Sequence, residues 1–154
     1  PPHNTAPPRL PEAVFDVMAA GYHPIITHPE RLRWIEDHYD TMRLLVDRGA
    51  WMQLTAGSVT GRFGKRVQYW AERMLDEGLV HILATDAHNV RNRSPKLSHA
   101  VECVSQRLDP KAAHDMVMTR PRMVLTDASP TLSPATVSNR PTQDRRWLKR
   151  LFGA

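Results

Sequence analysis

The chain has 154 residues, a formal net charge of +5 and a composition that is 41% hydrophobic and 24% charged. These values place it among water-soluble globular chains long enough to bury a core as one domain, and no apolar run approaches the roughly 20 residues that span a bilayer. Cys103 is the only cysteine, which excludes an internal disulfide and suits a reducing compartment.

Residues 1–9 are rich in proline and read as loop. Leu10, Val14, Val17 and Met18 share one face of a predicted helix, with Pro11 in its first turn and Gly21 as its stop. Pro24-Ile25-Ile26-Thr27 reads as a short strand, followed by a short helix over 31–37. Asp40 is placed as the cap of a helix through Met42, Leu45 and Val46 that ends at Gly49. Trp51-Met52-Gln53-Leu54-Thr55 is the second strand, and Ala56-Gly57-Ser58-Val59-Thr60-Gly61 a turn. The clearest helix carries Val67, Trp70, Ala71, Met74 and Leu75 on one stripe and stops at Gly78.

Residues 79–84 form the third predicted strand, and a polar loop runs on through Asn92. Two helices follow. The first has Leu97, Ala100, Val101, Val104 and Leu108 on its inner face, with Cys103 beside them as a packing residue. The second has Asp109 as cap and Pro110 at its first position. Met123-Val124-Leu125 reads as a last short strand. From about Asp127 the composition shifts: Ser, Thr, Pro and Asn dominate residues 128–142, and Arg145-Arg146-Trp147-Leu148-Lys149-Arg150-Leu151-Phe152 closes the chain as a basic, apolar tail.

Strand and helix alternate three times at a spacing that suits parallel βαβ units, so the expected class is α/β. Three or four such units are too few to close a barrel of about 250 residues. The expectation is therefore a partial, distorted β/α barrel over 1–126, the carboxyl-terminal portion of a larger one. Residues 127–154 are then a flexible linker and tail.

Asp86 and His88 follow the third strand, two residues apart, where extended backbone would turn both side chains the same way. A carboxylate and an imidazole so placed suit one metal ion, and equally suit an ordinary turn with a surface histidine. His28 and Glu30 repeat the pattern after the first strand, and two clusters at equivalent strand ends favour a shared rim. Arg31 and Arg93 flank the clusters, and the planar guanidinium fork matches phosphate oxygens. Arg62, in Gly61-Arg62-Phe63-Gly64, is a weaker third candidate. His3, His23, His38, His81, His99 and His114 have no partner at ligand spacing, and His81 reads as a packed residue. A thiolate phosphatase would need an arginine six positions after Cys103, where Asp109 stands. The basic excess favours anionic partners such as phosphorylated proteins or anionic lipid; no nucleic acid is expected, because the cations follow no recognised nucleic-acid pattern. The tail suits weak, reversible contact with an anionic membrane surface.

The strings Pro24-Ile25-Ile26-Thr27-His28-Pro29-Glu30-Arg31, Gln53-Leu54-Thr55-Ala56-Gly57-Ser58-Val59-Thr60-Gly61-Arg62-Phe63-Gly64 and Leu79-Val80-His81-Ile82-Leu83-Ala84-Thr85-Asp86-Ala87-His88-Asn89 resemble the metal-dependent protein-tyrosine phosphatases of the bacterial polymerase-and-histidinol-phosphatase (PHP) superfamily, which act in capsule and exopolysaccharide synthesis. The resemblance implies a distorted barrel with a cluster of up to three metals, usually manganese, at its carboxyl rim. Residue by residue it makes His28, Asp86 and His88 metal ligands, Arg31 and Arg93 holders of the phosphoryl group, and Glu30 a supporting residue. It implies a cytoplasmic enzyme able to touch the membrane surface, acting on a tyrosine-phosphorylated protein such as a bacterial tyrosine kinase, and compatible with an oligomer. The family's amino-terminal His-x-His motif has no counterpart here, so this chain by itself is expected to bind metal poorly and to be inactive. The residues leave open a different phosphoesterase of the same superfamily, or a metal-free interaction module that uses the tail.

Overall fold

The computed structural model describes residues 3–90 and 94–130. Arg93 and most of the tail, including the basic, apolar segment at 145–152, lie outside the described residues. Three parallel strands form one open sheet in the order β1 (Ile25–Thr27), β2 (Trp51–Thr55) and β3 (Ile82–Ala84). Ile25 pairs with Trp51, Thr27 with Gln53, Gln53 with Ile82 and Thr55 with Ala84, so all three strands end at one edge of the sheet. The α/β class and the parallel alternation are as expected; what the described residues form is an open sheet, not a closed barrel.

Helices cover the sheet. They are α1 (Leu10–Ala19), α2 (Tyr39–Asp47), α3 (Ala56–Val59), α4 (Lys65–Asp76), α5 (Ser98–Arg107), α6 (Pro110–His114) and α7 (Arg120–Leu125). Strand β2 is central and almost wholly buried, as a parallel strand covered on both faces must be. Met52 and Leu54 join Met42 and Leu45 of α2 and Trp70, Met74 and Leu75 of α4 in one core. The stripe predicted for α4 is the buried face found, apart from the half-buried Val67. Cys103 packs partly buried against this core. Asp109 caps α6 by accepting from the Ala112 N–H at 2.7 Å, with Pro110 in the first turn. No helix among the described residues is long and apolar enough to cross a membrane.

Four local expectations are corrected. Residues 31–37 are not a helix: a 3-10 turn at Pro29–Arg31 is followed by a chain of turns. There the Ile35 N–H donates to Leu32 O and the His38 N–H to Ile35 O, each at 3.3 Å. The apolar residues of this stretch, Leu32, Trp34 and Ile35, are buried nonetheless, so burial and not helical periodicity explains them. Asp40 does not cap α2, which starts at Tyr39; it lies in the first turn and accepts from Arg43 Nη1 at 2.9 Å. Ala56–Val59 is a short helix and not a turn. Met123, Val124 and Leu125 are helical: Asp115–Thr119 forms a π-helical turn that carries the chain from α6 straight into α7, with Pro121 near its start.

Candidate active site

The carboxyl edge of the sheet gathers the first candidates. The His28 N–H donates to Gln53 O at 2.8 Å and so extends the ladder by one residue beyond β1. The backbone then turns sharply, with His28 at φ 41° and Asp86, just beyond β3, at φ 51°. Left-handed backbone is uncommon for residues other than glycine and clusters at functional sites. It also removes the basis of the period-two expectation: neither His28/Glu30 nor Asp86/His88 lies on extended backbone. Glu30 instead goes into the interior, wholly buried, while His28 stays at the rim.

Glu30 is a clamp between elements. Its Oε1 accepts from the Thr55 N–H at 3.0 Å and from the Ser58 hydroxyl at 2.6 Å, which ties the turn after β1 to the end of β2 and to α3. Its Oε2 is buried without a hydrogen-bond partner. Burial pushes the Glu30 carboxyl above its ordinary range, against the pull of the Ser58 and Thr55 hydrogen bonds.

Arg31, next in the chain, swings across the edge. Its Nη1 donates to Asp86 Oδ2 at 2.8 Å, and its guanidinium lies 4.8 Å from the centroid of the Phe63 ring. The first and third strand ends are thereby joined by a charge-assisted bond. The His88 Nδ1 is 2.8 Å from the backbone oxygen of Asp86 and 3.8 Å from its Oδ1, with the ring more than half exposed. The His3 ring stacks on that of His28, centroids 5.1 Å apart and planes 4° from parallel. Burial first, then the Arg31 cation, hold the His28 imidazole below its ordinary value. Neutral imidazole is the form that can donate to a metal.

His28, Arg31, Asp86 and His88 thus meet at one edge, and Glu30 supports them from within. Among the described residues, no three or more His, Cys, Asp or Glu side chains are gathered closely enough to hold a metal ion. The rim does bring single candidate donors: His28 Nδ1 is buried without a hydrogen-bond partner, and Asp86 brings a carboxylate that Arg31 holds at 2.8 Å. These residues fit part of a metal site and not a closed one.

Arg62 lies further out. It lines a cleft of about 220 Å³ together with Gly57, Thr60, Phe63, Lys96 and His99. Sequence reasoning missed several partners. His3 and His99 stood apart from any ligand spacing, and the support of Glu30 by Thr55 and Ser58 spans 25 and 28 residues. Phe63 stood inside a recognisable Gly-Arg-Phe-Gly string, but nothing in one sequence shows that its ring lies under Arg31. His81 is packed as expected: it is 8% exposed, and its Nδ1 accepts from the Met52 N–H at 3.2 Å.

A family model described as "Capsular polysaccharide synthesis, CpsB/CapC" matches residues 4–126. The tyrosine-protein phosphatase YwqE of Bacillus subtilis (strain 168) is 33% identical over 147 residues, which is 95% of this chain and 54% of that protein. A putative tyrosine-protein phosphatase CapC of Staphylococcus aureus is 37% identical over 92 residues, 60% of this chain and 36% of that one. Among solved structures, one from a study of YwqE from Bacillus subtilis and CpsB from Streptococcus pneumoniae, described as unique metal-dependent tyrosine phosphatases, superposes with a TM-score of 0.77 at 30% identity. It covers 83% of this chain and 51% of that one. The chain spans about half, or less, of the length of the relatives it matches.

Proposed function

Since this chain belongs to the CpsB/CapC family of capsular polysaccharide synthesis, we propose that it serves the metal-dependent hydrolysis of phosphotyrosine in proteins. The observation that carries the proposal is the convergence of His28, Arg31 and Asp86 on one edge of a parallel sheet, the edge where such folds place their chemistry. The family relatives named as tyrosine phosphatases support the substrate class.

The metal we infer is divalent, manganese by the resemblance. His28, Asp86 and His88 would hold it, with further donors from outside the described residues. Lewis-acid polarisation and activation of water are the chemistry such a metal supplies when bound. The remaining work falls to side chains of this chain. The Arg31 guanidinium, 4.8 Å from the Phe63 ring centroid, is proposed to take phosphoryl oxygens and to neutralise charge as it develops there. Arg93 is proposed as the second phosphoryl contact, and Arg62 as an outer cation. Glu30 fixes the turn that presents His28 and Arg31 by gripping Thr55 and Ser58. A cysteine nucleophile has no part, since Cys103 packs against the core and lacks the arginine that a thiolate phosphatase needs. We further infer that residues 1–126 are one barrel portion, and that the partner is a tyrosine-phosphorylated protein, a tyrosine kinase by the resemblance. The basic tail is proposed to give that encounter a membrane-surface contact.

The test is to measure bound metal and turnover together, in the intact enzyme that includes the family's amino-terminal metal motif, on a phosphotyrosyl peptide, a small phosphate ester and a DNA 3′ end. Preference for the peptide, abolished by a chelator and restored by divalent metal, is expected. Arg31→Lys should lower turnover and leave metal content unchanged, because an ammonium cannot make the bidentate contact. Chelator-insensitive turnover, or preference for another substrate, would overturn the proposal.

A further inference from the structure

We propose that the cleft beside Arg31 is a subsite for an acidic side chain flanking the phosphotyrosine of the substrate; this rests on the phosphotyrosine reading above. Three observations converge on it.

The first is charge. Arg62 and Lys96 bring two cations to the walls, His99 an imidazole, and Thr60 and Ser94 hydroxyls. No aspartate or glutamate is among the described lining residues. The first turn of α5 contributes His99 and Ala100, and no side-chain oxygen caps that helix start. The end of a helix where N–H groups are left over favours negative charge.

The second is position. Phe63 is shared: one side of its ring carries the Arg31 guanidinium, and the ring also lines the cleft. Thr85, another lining residue, immediately precedes Asp86. A group held in the cleft is therefore a close neighbour of a group held by Arg31, as adjacent residues of one peptide would be.

The third is shape. About 220 Å³ accommodates a side chain with its stretch of backbone and excludes a folded element. A Cβ on Gly57 would stand 2.7 Å from Phe63 Cε2, so the ring is seated directly on the α3 backbone. Exposed cations give modest affinity and a modest, salt-sensitive preference for negative charge.

The experiment compares binding of two phosphotyrosyl peptides by fluorescence anisotropy on the whole protein. One peptide carries Glu on both sides of the phosphotyrosine and the other Gln. The Glu peptide is expected to bind about fivefold tighter at low salt, as a pair of exposed charge contacts gives. High salt should remove the preference. Lys96→Glu, at an exposed position that leaves the core untouched, should abolish or invert it. Equal affinity for the two peptides, binding of neither, or a preference that survives Lys96→Glu overturns the subsite. Hydrolysis is scored separately on the same peptides, with the chain joined to the amino-terminal metal motif of its family: a binding preference without metal-dependent turnover there removes the phosphatase reading and leaves the subsite, while turnover without preference does the reverse.

Discussion

Acidification should destabilise the fold through His81, and the size of the effect follows from its surroundings. His81 precedes β3 and is 8% exposed, stacked on Trp51 with centroids 5.5 Å apart. Its Nδ1 accepts from the Met52 N–H, its own N–H donates to Met52 O at 2.9 Å, and its carbonyl accepts from buried Arg120 at 3.1 Å. The native ring must therefore be neutral and protonated only at Nε2. A proton on Nδ1 would break the Met52 bond and add a second cation beside Arg120. Burial, then the Arg120 charge, lower its pKa from 6.5 to about 4. The sign is fixed by linkage: the unfolded chain takes up the proton near 6.5, and the native state resists until about 4. This contribution to stability is full above pH 6.5 and falls as the pH drops through that window. Each tenfold difference in proton affinity between the two states is worth about 1.4 kcal/mol, so the loss between pH 7 and pH 4.5 is about 2–3 kcal/mol. Urea unfolding of wild type and His81→Asn at both pH values isolates it, because Asn keeps an acceptor for the Met52 N–H but does not titrate. The wild type should lose about 2–3 kcal/mol more than the variant. Equal losses would refute the neutral, buried assignment of His81.

Glu30→Ala leaves the Thr55 N–H and the Ser58 hydroxyl without their acceptor and should cost about 2–4 kcal/mol in denaturant unfolding; Glu30→Gln, which keeps Oε1, should cost less, and a fully stable alanine variant would deny the clamp. Gly57→Ala forces Phe63 away from α3 and should destabilise by about 1–3 kcal/mol while lowering turnover through Arg31; thermal melts and kinetics on the same samples check both effects, and an unchanged pair would show that the ring has room to move. His28→Ala in the intact enzyme should lower metal content measured by elemental analysis, and an unchanged metal content would remove His28 from the donor set. Asp109→Ala removes the α6 cap and should cost about 1 kcal/mol, measured as a shift of the urea midpoint.

The parts of this fold that a single sequence displays are those set by local pattern. The stripe of α4, the apolar run of β2, and the Asp109-Pro110 start of α6 each announce themselves within about ten residues, and each stands where expected. Met123, Val124 and Leu125 have strand-like chemistry but, among the described residues, no strand pairs with them. The π-helical turn delivers them into α7, where Val124 and Leu125 are exposed. Propensity of that kind is overridden by the chain that precedes it. Leu32, Trp34 and Ile35 failed as a helix for the opposite reason: their burial is real, but the path is a run of turns pinned from α4, where Arg66 donates to Leu32 O and Arg33 O.

The site shows the same division more sharply. Residue types and strand ends marked His28, Arg31 and Asp86, because a histidine, an arginine and an acid after apolar runs are legible without coordinates. Their orientation was not legible, since alternation along a strand presupposes extended backbone, and both His28 and Asp86 are left-handed. That conformation is what separates the roles of neighbouring residues. With His28 turned, Pro29–Arg31 winds as a 3-10 turn that sends Glu30 into the interior and Arg31 across to Asp86. Extended backbone would have placed His28 and Glu30 on one side as twin ligands and left the turn without its anchor on Thr55 and Ser58. The left-handed residue and the buried acid thus act on one turn: Glu30 anchors it to Thr55 and Ser58, and its far side carries Arg31 across to Asp86 at the edge of the sheet.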